Sequence, residues 1–136
     1  MKILKIIFFI TFFSSCGDNV QNVKIDWNYI MIFDGPISVT LRKNGEFSVM
    51  NSSKMIYKKS KIDVAVADKY VFDISNKNSL FLDRKQELFL VINFGFTGEK
   101  KIFYRSSENP KEVIELYNHI KLMSSAIPSQ PNLNNP

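Results

Sequence analysis

A single histidine, His119, and a single cysteine, Cys16, limit the chemistry open to this chain of 136 residues. Catalysis by a Cys or Ser nucleophile needs a neighbouring base, most often His. His119 lies four residues after Glu115 on a predicted helix, and the pair reads either as a surface contact at i,i+4 spacing or as a dyad. No cleft-forming loop borders it, which points to the surface contact. Paired carboxylates work without His. The candidates Asp63, Asp68 and Asp73 recur every fifth residue, which puts them on no common face of a helix and on alternating faces of a strand. The five glycines form no phosphate-cradling loop, and no run of Asp and Asn resembles a calcium loop. One cysteine per chain excludes an internal disulfide and a multi-thiolate zinc site. No catalytic residue, metal or cofactor is therefore expected.

Binding chemistry has more to draw on. Lys54, Lys58, Lys59 and Lys61, with Tyr57 among them, form the densest basic cluster. It reads as a contact for lipid phosphates or an acidic partner, or as a solvated loop in a Lys-rich protein. The balance of 15 lysines to 3 arginines speaks against nucleic acid, where Arg supplies the bidentate fork. Among the aromatics, Tyr29, Phe96 and Tyr104 are the candidates for an exposed recognition patch, Phe96 because it falls at a loop tip.

The N-terminus reads MKILKIIFFITFFSSC: Lys2 and Lys5, an apolar run from Ile6 to Phe13, two small residues, then the only cysteine. Charge, apolar stretch and small residues are the order of an export signal. The run falls short of the roughly 20 apolar residues of a spanning helix, so cleavage is the expectation. The segment Phe13, Ser14, Ser15, Cys16 resembles the lipobox of bacterial lipoprotein signals. That resemblance implies removal of residues 1–15, acylation of Cys16 as the new first residue, and a lipid bilayer as partner. Each buried methylene of the acyl chains is worth about 0.8 kcal/mol. Gly17 follows the cysteine where Asp favours the inner membrane, so the resemblance implies the outer membrane, facing the periplasm, in a Gram-negative host; the inner membrane and the cell surface are the other placements. An ordinary secretory signal or an uncleaved N-terminus are the alternative readings. Removal of Lys2 and Lys5 would reduce the net charge of +5 to about +3.

These residues must be positioned by the remainder of the chain. Residues 16–26 are polar and read as a tether. Residues 27–123 read as one globular domain and 124–136, with Pro128, Pro131 and Pro136, as a flexible tail. Trp27 to Phe33 predicts a strand ending in the turn formers Asp34, Gly35 and Pro36. Ile37 to Leu41 and Glu46 to Met50 flank Asn44-Gly45, a hairpin signal. Met55 to Lys58 predicts a short further strand. Ser60 to Asn76 has two readings: a helix capped by Ser60 and Asp63 and closed at Asn76, or strands, from the period-two runs Ile62, Val64, Val66 and Tyr70, Phe72, Ile74. The second is preferred for Val64 to Val66. Glu87 to Phe94 is apolar on both faces, as in a central strand, and a second hairpin leads into Lys100 to Arg105. A C-terminal helix is predicted with Asn109 as N-cap and Pro110 first, ending near Met123. Its apolar stripe is Val113, Leu116, Tyr117, Ile120 and Met123.

The expected architecture is α+β: a mostly antiparallel sheet of about five or six strands with the C-terminal helix packed on it, and one further helix possible in 60–76. The expected role is a non-catalytic module holding an envelope protein, peptide or glycan near a membrane. Two alternatives are an immunity or inhibitor lipoprotein against a periplasmic enzyme, and a small carboxylate-dependent hydrolase.

Overall fold

The computed structural model describes residues 25–54, 56–77, 86–95 and 97–127. They form an α+β domain in the order β1 (Trp27–Asp34), β2 (Ile37–Arg42), β3 (Glu46–Asn51), β4 (Ile56–Lys61), α1 (Ala65–Ser75), β5 (Leu88–Phe94), β6 (Lys100–Tyr104) and α2 (Lys111–Ala126). The six strands make one antiparallel sheet in the order β4-β3-β2-β1-β5-β6. The first four strands are a meander. After α1 the chain returns to the free side of β1, so β5 lies inside the sheet, as its two apolar faces predict.

Both helices pack on one face. From β1 it receives Trp27, Ile30 and Ile32, from β2 Val39 and Leu41, from β3 Phe47 and Val49, from β5 Leu90, Ile92 and Phe94, and from β6 Phe103. Trp27 and Ile30 have opposite parity, yet share this face because the β1–β5 register slips between Trp27 and Tyr29. A second slip between Leu88 and Leu90 turns Phe89 under α2, where its ring stacks on Tyr117 at 4.0 Å.

The hairpin at Asn44-Gly45 forms as expected, with Gly45 at φ 85° and its amide bonded to the Arg42 carbonyl at 2.9 Å. A side chain here would meet two obstacles: the left-handed backbone, and the Ile62 carbonyl 2.5 Å from where a Cβ would stand.

The segment after β4 is a helix, against the preference for a strand at Val64 to Val66. Its N-terminus is held by Asp63, whose carboxylate accepts the Ala65 amide at 2.9 Å, and its C-cap is Asn76. The buried positions Ala67, Val71 and Ile74 follow helical spacing. Val66 and Phe72, counted in the period-two pattern, are instead exposed. Alternating apolar residues outside the buried stripe thus mimic a strand. From Asp68 beside Trp27 to the carbonyls of Ser75 and Lys77 beside Lys101, α1 crosses the sheet toward β6. α2 crosses back: Asn109 bonds the end of β6, and Ile127 meets Lys58 of β4.

α2 buries Val113, Leu116, Tyr117 and Ile120 as predicted and runs on past Met123 to Ala126. Its N-cap is Pro110, not Asn109. The Asn109 amide turns back and donates to the Tyr104 carbonyl at 2.8 Å, so it ties β6 to the helix and leaves the first turn uncapped by a side chain.

Candidate functional site

No described element lies on the opposite face of the sheet. Strand pairing arranges its side chains in three rows. Tyr57, Met50, Ser38 and Phe33 are aligned across β4, β3, β2 and β1. Beside them run Lys59, Ser48, Thr40, Met31, Val91 and Ile102. The third row holds Lys61 with Glu46, and Tyr29 with Asn93 and Lys100. Met50, Tyr57 and Ile102 expose 51%, 56% and 37% of their surface, while Met31 and Phe33 are half-buried. The first row is therefore apolar but for Ser38, the second is polar from β4 to β2 and apolar from β1 to β6, and the third is polar.

The polar row ends where the chain enters the domain. Asp26, Asn28, Tyr29, Arg42, Lys43 and Asn44 line a shallow hollow of about 490 Å³ there. The side chain of Asn28 donates to that of the buried Asn93 at 2.8 Å. Lys43 pairs with Asp68 and stands 5.1 Å over the Trp27 ring, whose Nε1 donates to Asp68 at 2.7 Å. These contacts join the β2–β3 turn, the start of β1 and α1.

The basic cluster does not form one patch, because a strand alternates its side chains. Tyr57, Lys59 and Lys61 stand on the bare face, with Lys59 4.0 Å from Glu46. Lys58 points to the helix side and donates to the Ile127 carbonyl at 3.0 Å. Lys54, in the β3–β4 turn, joins Lys58 at a cavity beside the end of α2. Tyr29 and Tyr104 are half-buried. Phe96, Cys16, the segment 1–15 read as an export signal and residues 128–136 lie outside the described residues.

The acid–base candidates stand apart from one another. His119 does not pair with Glu115, which bonds Lys111 at 3.3 Å. It faces Tyr70 of α1 with ring centroids 6.4 Å apart, and burial lowers its pKa. Asp63 holds the α1 amide and Asp68 is bound to Trp27 and Lys43. At 3.6 residues per turn, Asp73 lies about 140° around α1 from Asp68. No hydrogen bond joins any two of these three. Among the described residues, no cluster of three or more His, Cys, Asp or Glu side chains could hold a metal ion.

Two charged arrangements carry no sequence motif. Lys101 occupies a core-facing position on β6 and is buried. Its ammonium donates to the carbonyls of Ile74 at 3.3 Å and Ser75 at 2.6 Å, and also to that of Lys77, satisfying the free acceptors at the end of α1. Its one sequence signal is a lysine two residues before Phe103 on the same side of a strand. At the far end of β1, Asp34 accepts from Lys121 at 2.7 Å, and that ammonium holds its carboxyl below the usual range. Arg105 stands 3.7 Å from Asp34 and 5.2 Å over the Phe89 ring.

Comparison with protein-family models, with curated proteins and with solved structures finds no match. Among the described residues no helix is long and apolar enough to cross a membrane.

Proposed function

We propose that this chain is an exported lipoprotein, acylated at Cys16, and that its domain is a non-catalytic module binding another component of the cell envelope through the bare face of the sheet. The observation that carries the binding reading is that one face of the sheet holds two apolar groups, exposed Met50 paired with Tyr57 on β3 and β4, and exposed Ile102 beside Val91 and Met31 on β6, β5 and β1, with only Ser38 and Thr40 of β2 between them. Single apolar residues scattered on a surface need no explanation, whereas a contiguous set rimmed by charge marks an interaction surface. Met and Tyr are also enriched where proteins meet, so the partner is a protein or peptide. The anchor reading is supported by the order of charge, apolar run and small residues ending at the only cysteine. Domain and lipid are then close: Ile25, the first described residue, follows Cys16 by a short polar stretch.

A photo-reactive phenylalanine analogue placed singly at Met50, Tyr57 and Ile102 in growing cells tests the binding surface. Leu122 and Phe72, exposed at 71% and 47% on the helices, are the control positions. A discrete adduct from the sheet positions and none from the helices is expected. Equal adducts from both sets, or none from the sheet, would overturn the assignment. An adduct with an enzyme or toxin would define the role as immunity.

A further inference from the structure

The helix side carries a second feature, independent of the bare face. At the end of the sheet remote from the chain's entry, Ile37, Val49, Asn51, Lys54, Lys58 and Lys121 line a cavity of about 410 Å³, closed by Ser124 and Ser125 of α2. This volume lies within the range of small-molecule sites, about 300–1,000 Å³. Three lysines line it from three elements: Lys54 from the β3–β4 turn, Lys58 from β4 and Lys121 from α2. No carboxylate is among its lining residues.

Each ammonium has three protons to donate. Lys58 gives one to the Ile127 carbonyl at 3.0 Å, and Lys121 gives one to Asp34 at 2.7 Å. Lys54 has no ion-pair partner among the described residues. The hydroxyls of Ser124 and Ser125 turn back into α2, donating to the Lys121 and Leu122 carbonyls at 2.7 Å each, and offer the cavity no negative charge. Lysines with donors to spare thus share this lining with the apolar Ile37 and Val49. A bare inorganic ion would use the cations and waste the apolar side chains, and a neutral alkyl chain would do the reverse.

We propose that this cavity binds an anionic amphiphile: a carboxylate or phosphate monoester head held by Lys54, Lys58 and Lys121, with a short alkyl body against Ile37 and Val49. Lysine, a point charge without the planar fork of arginine, accepts either head. Such a head occurs on free metabolites and on membrane lipids. The eight residues of β1 separate the cavity from the chain's entry by roughly 25 Å at about 3.3 Å per residue, which favours a free amphiphile over a headgroup of the anchoring membrane.

Equilibrium dialysis of the full chain, purified as cells make it in a neutral detergent, tests the site with radiolabelled hexyl phosphate and hexanoate. Saturable one-to-one binding of either is expected, with inorganic phosphate and hexanol weaker by about tenfold or more. Lys54→Glu, at an exposed turn, should weaken the labelled probe by about tenfold at an unchanged melting temperature. Lys59→Glu, on the opposite face, should leave it unchanged. Phosphatidylglycerol vesicles that fail to displace the probe, like phosphatidylcholine vesicles, assign the site to a free amphiphile; displacement by the first alone assigns it to a lipid headgroup. Non-saturable binding, inorganic phosphate binding as tightly as its ester, or indifference to Lys54→Glu would overturn the proposal. None of these readouts depends on acylation or on the bare face.

Discussion

The two faces of the sheet are made of the same strands and differ in what they have been given to touch. On the helix side nearly every large residue is buried, and even a lysine, Lys101, is absorbed as the cap of α1. On the other side Met50, Tyr57 and Ile102 stand exposed beside half-buried Met31 and Phe33, with no described element across them. Folding is driven by the first face. The second carries apolar surface that no described element covers, and this difference motivates the functional reading.

The sharpest way to break the comparison is truncation on each face. Phe47→Ala and Phe103→Ala, both at fully buried positions, should each cost about 3–5 kcal/mol in denaturant unfolding. Met50→Ala and Tyr57→Ala should change stability by no more than about 0.5 kcal/mol. A large loss from Tyr57→Ala would mean that the bare face is covered in solution.

Lys101→Met keeps the length of the side chain but strands the carbonyls it holds. A loss of about 2–3 kcal/mol is expected, as for hydrogen bonds to a charged group, with exchange of the last α1 amides rising first. A neutral outcome would make Lys101 a passenger. Gly45→Ala should cost roughly 1–3 kcal/mol, because the hairpin imposes a left-handed backbone against the Ile62 carbonyl.

The smallest effect concerns His119 at the seam of the two helices. Burial lowers its pKa from the ordinary 6.5, so the unfolded chain binds the proton first. Stability should begin to fall as pH drops past 6.5 and stop falling once the folded-state histidine is also protonated. In His119→Gln this step should vanish. At lower pH a separate loss comes from Asp34 and Glu112, whose carboxyls are held below their ordinary values, by the Lys121 ammonium and, for Glu112, by its own backbone amide and then Lys77. Their contribution is present above the ordinary carboxylate pKa and disappears as pH falls through the lowered values.

The legible parts of this fold are those where one local rule dominates. Asn44-Gly45 demands a tight turn, the apolar run of β5 marks a strand inside the sheet although the slip before Leu90 turns Phe89 to the helix side, and the α2 stripe repeats at helical spacing. Ile62 to Ile74 misleads because its partly buried Ile62, Val64 and Tyr70 and its exposed Val66 and Phe72 share parity by accident, while the buried stripe begins with the inconspicuous Ala67. Asn109 reads as a cap from its neighbours alone; the carbonyl that captures it, Tyr104, depends on how β6 meets α2. Lys101 and the cavity of Lys54, Lys58 and Lys121 are beyond reach for the same reason: their partners come from elements far apart in sequence. The lysine run from 54 to 61 resembles one patch only because alternation between faces is invisible in a count of charge.

On the proposed reading the bare face would serve an envelope partner only if an acylated Cys16 held it in the envelope. Cells fed an alkyne-bearing palmitate analogue, with the wild-type chain compared to Cys16→Ala and Cys16→Ser, test that placement directly. Label on the wild type that disappears from both variants, with the uncleaved precursor accumulating, is the expected result. A wild-type chain that takes no label, cleaved or not, would contradict the lipid anchor and leave the domain to find its partner without a membrane to hold it.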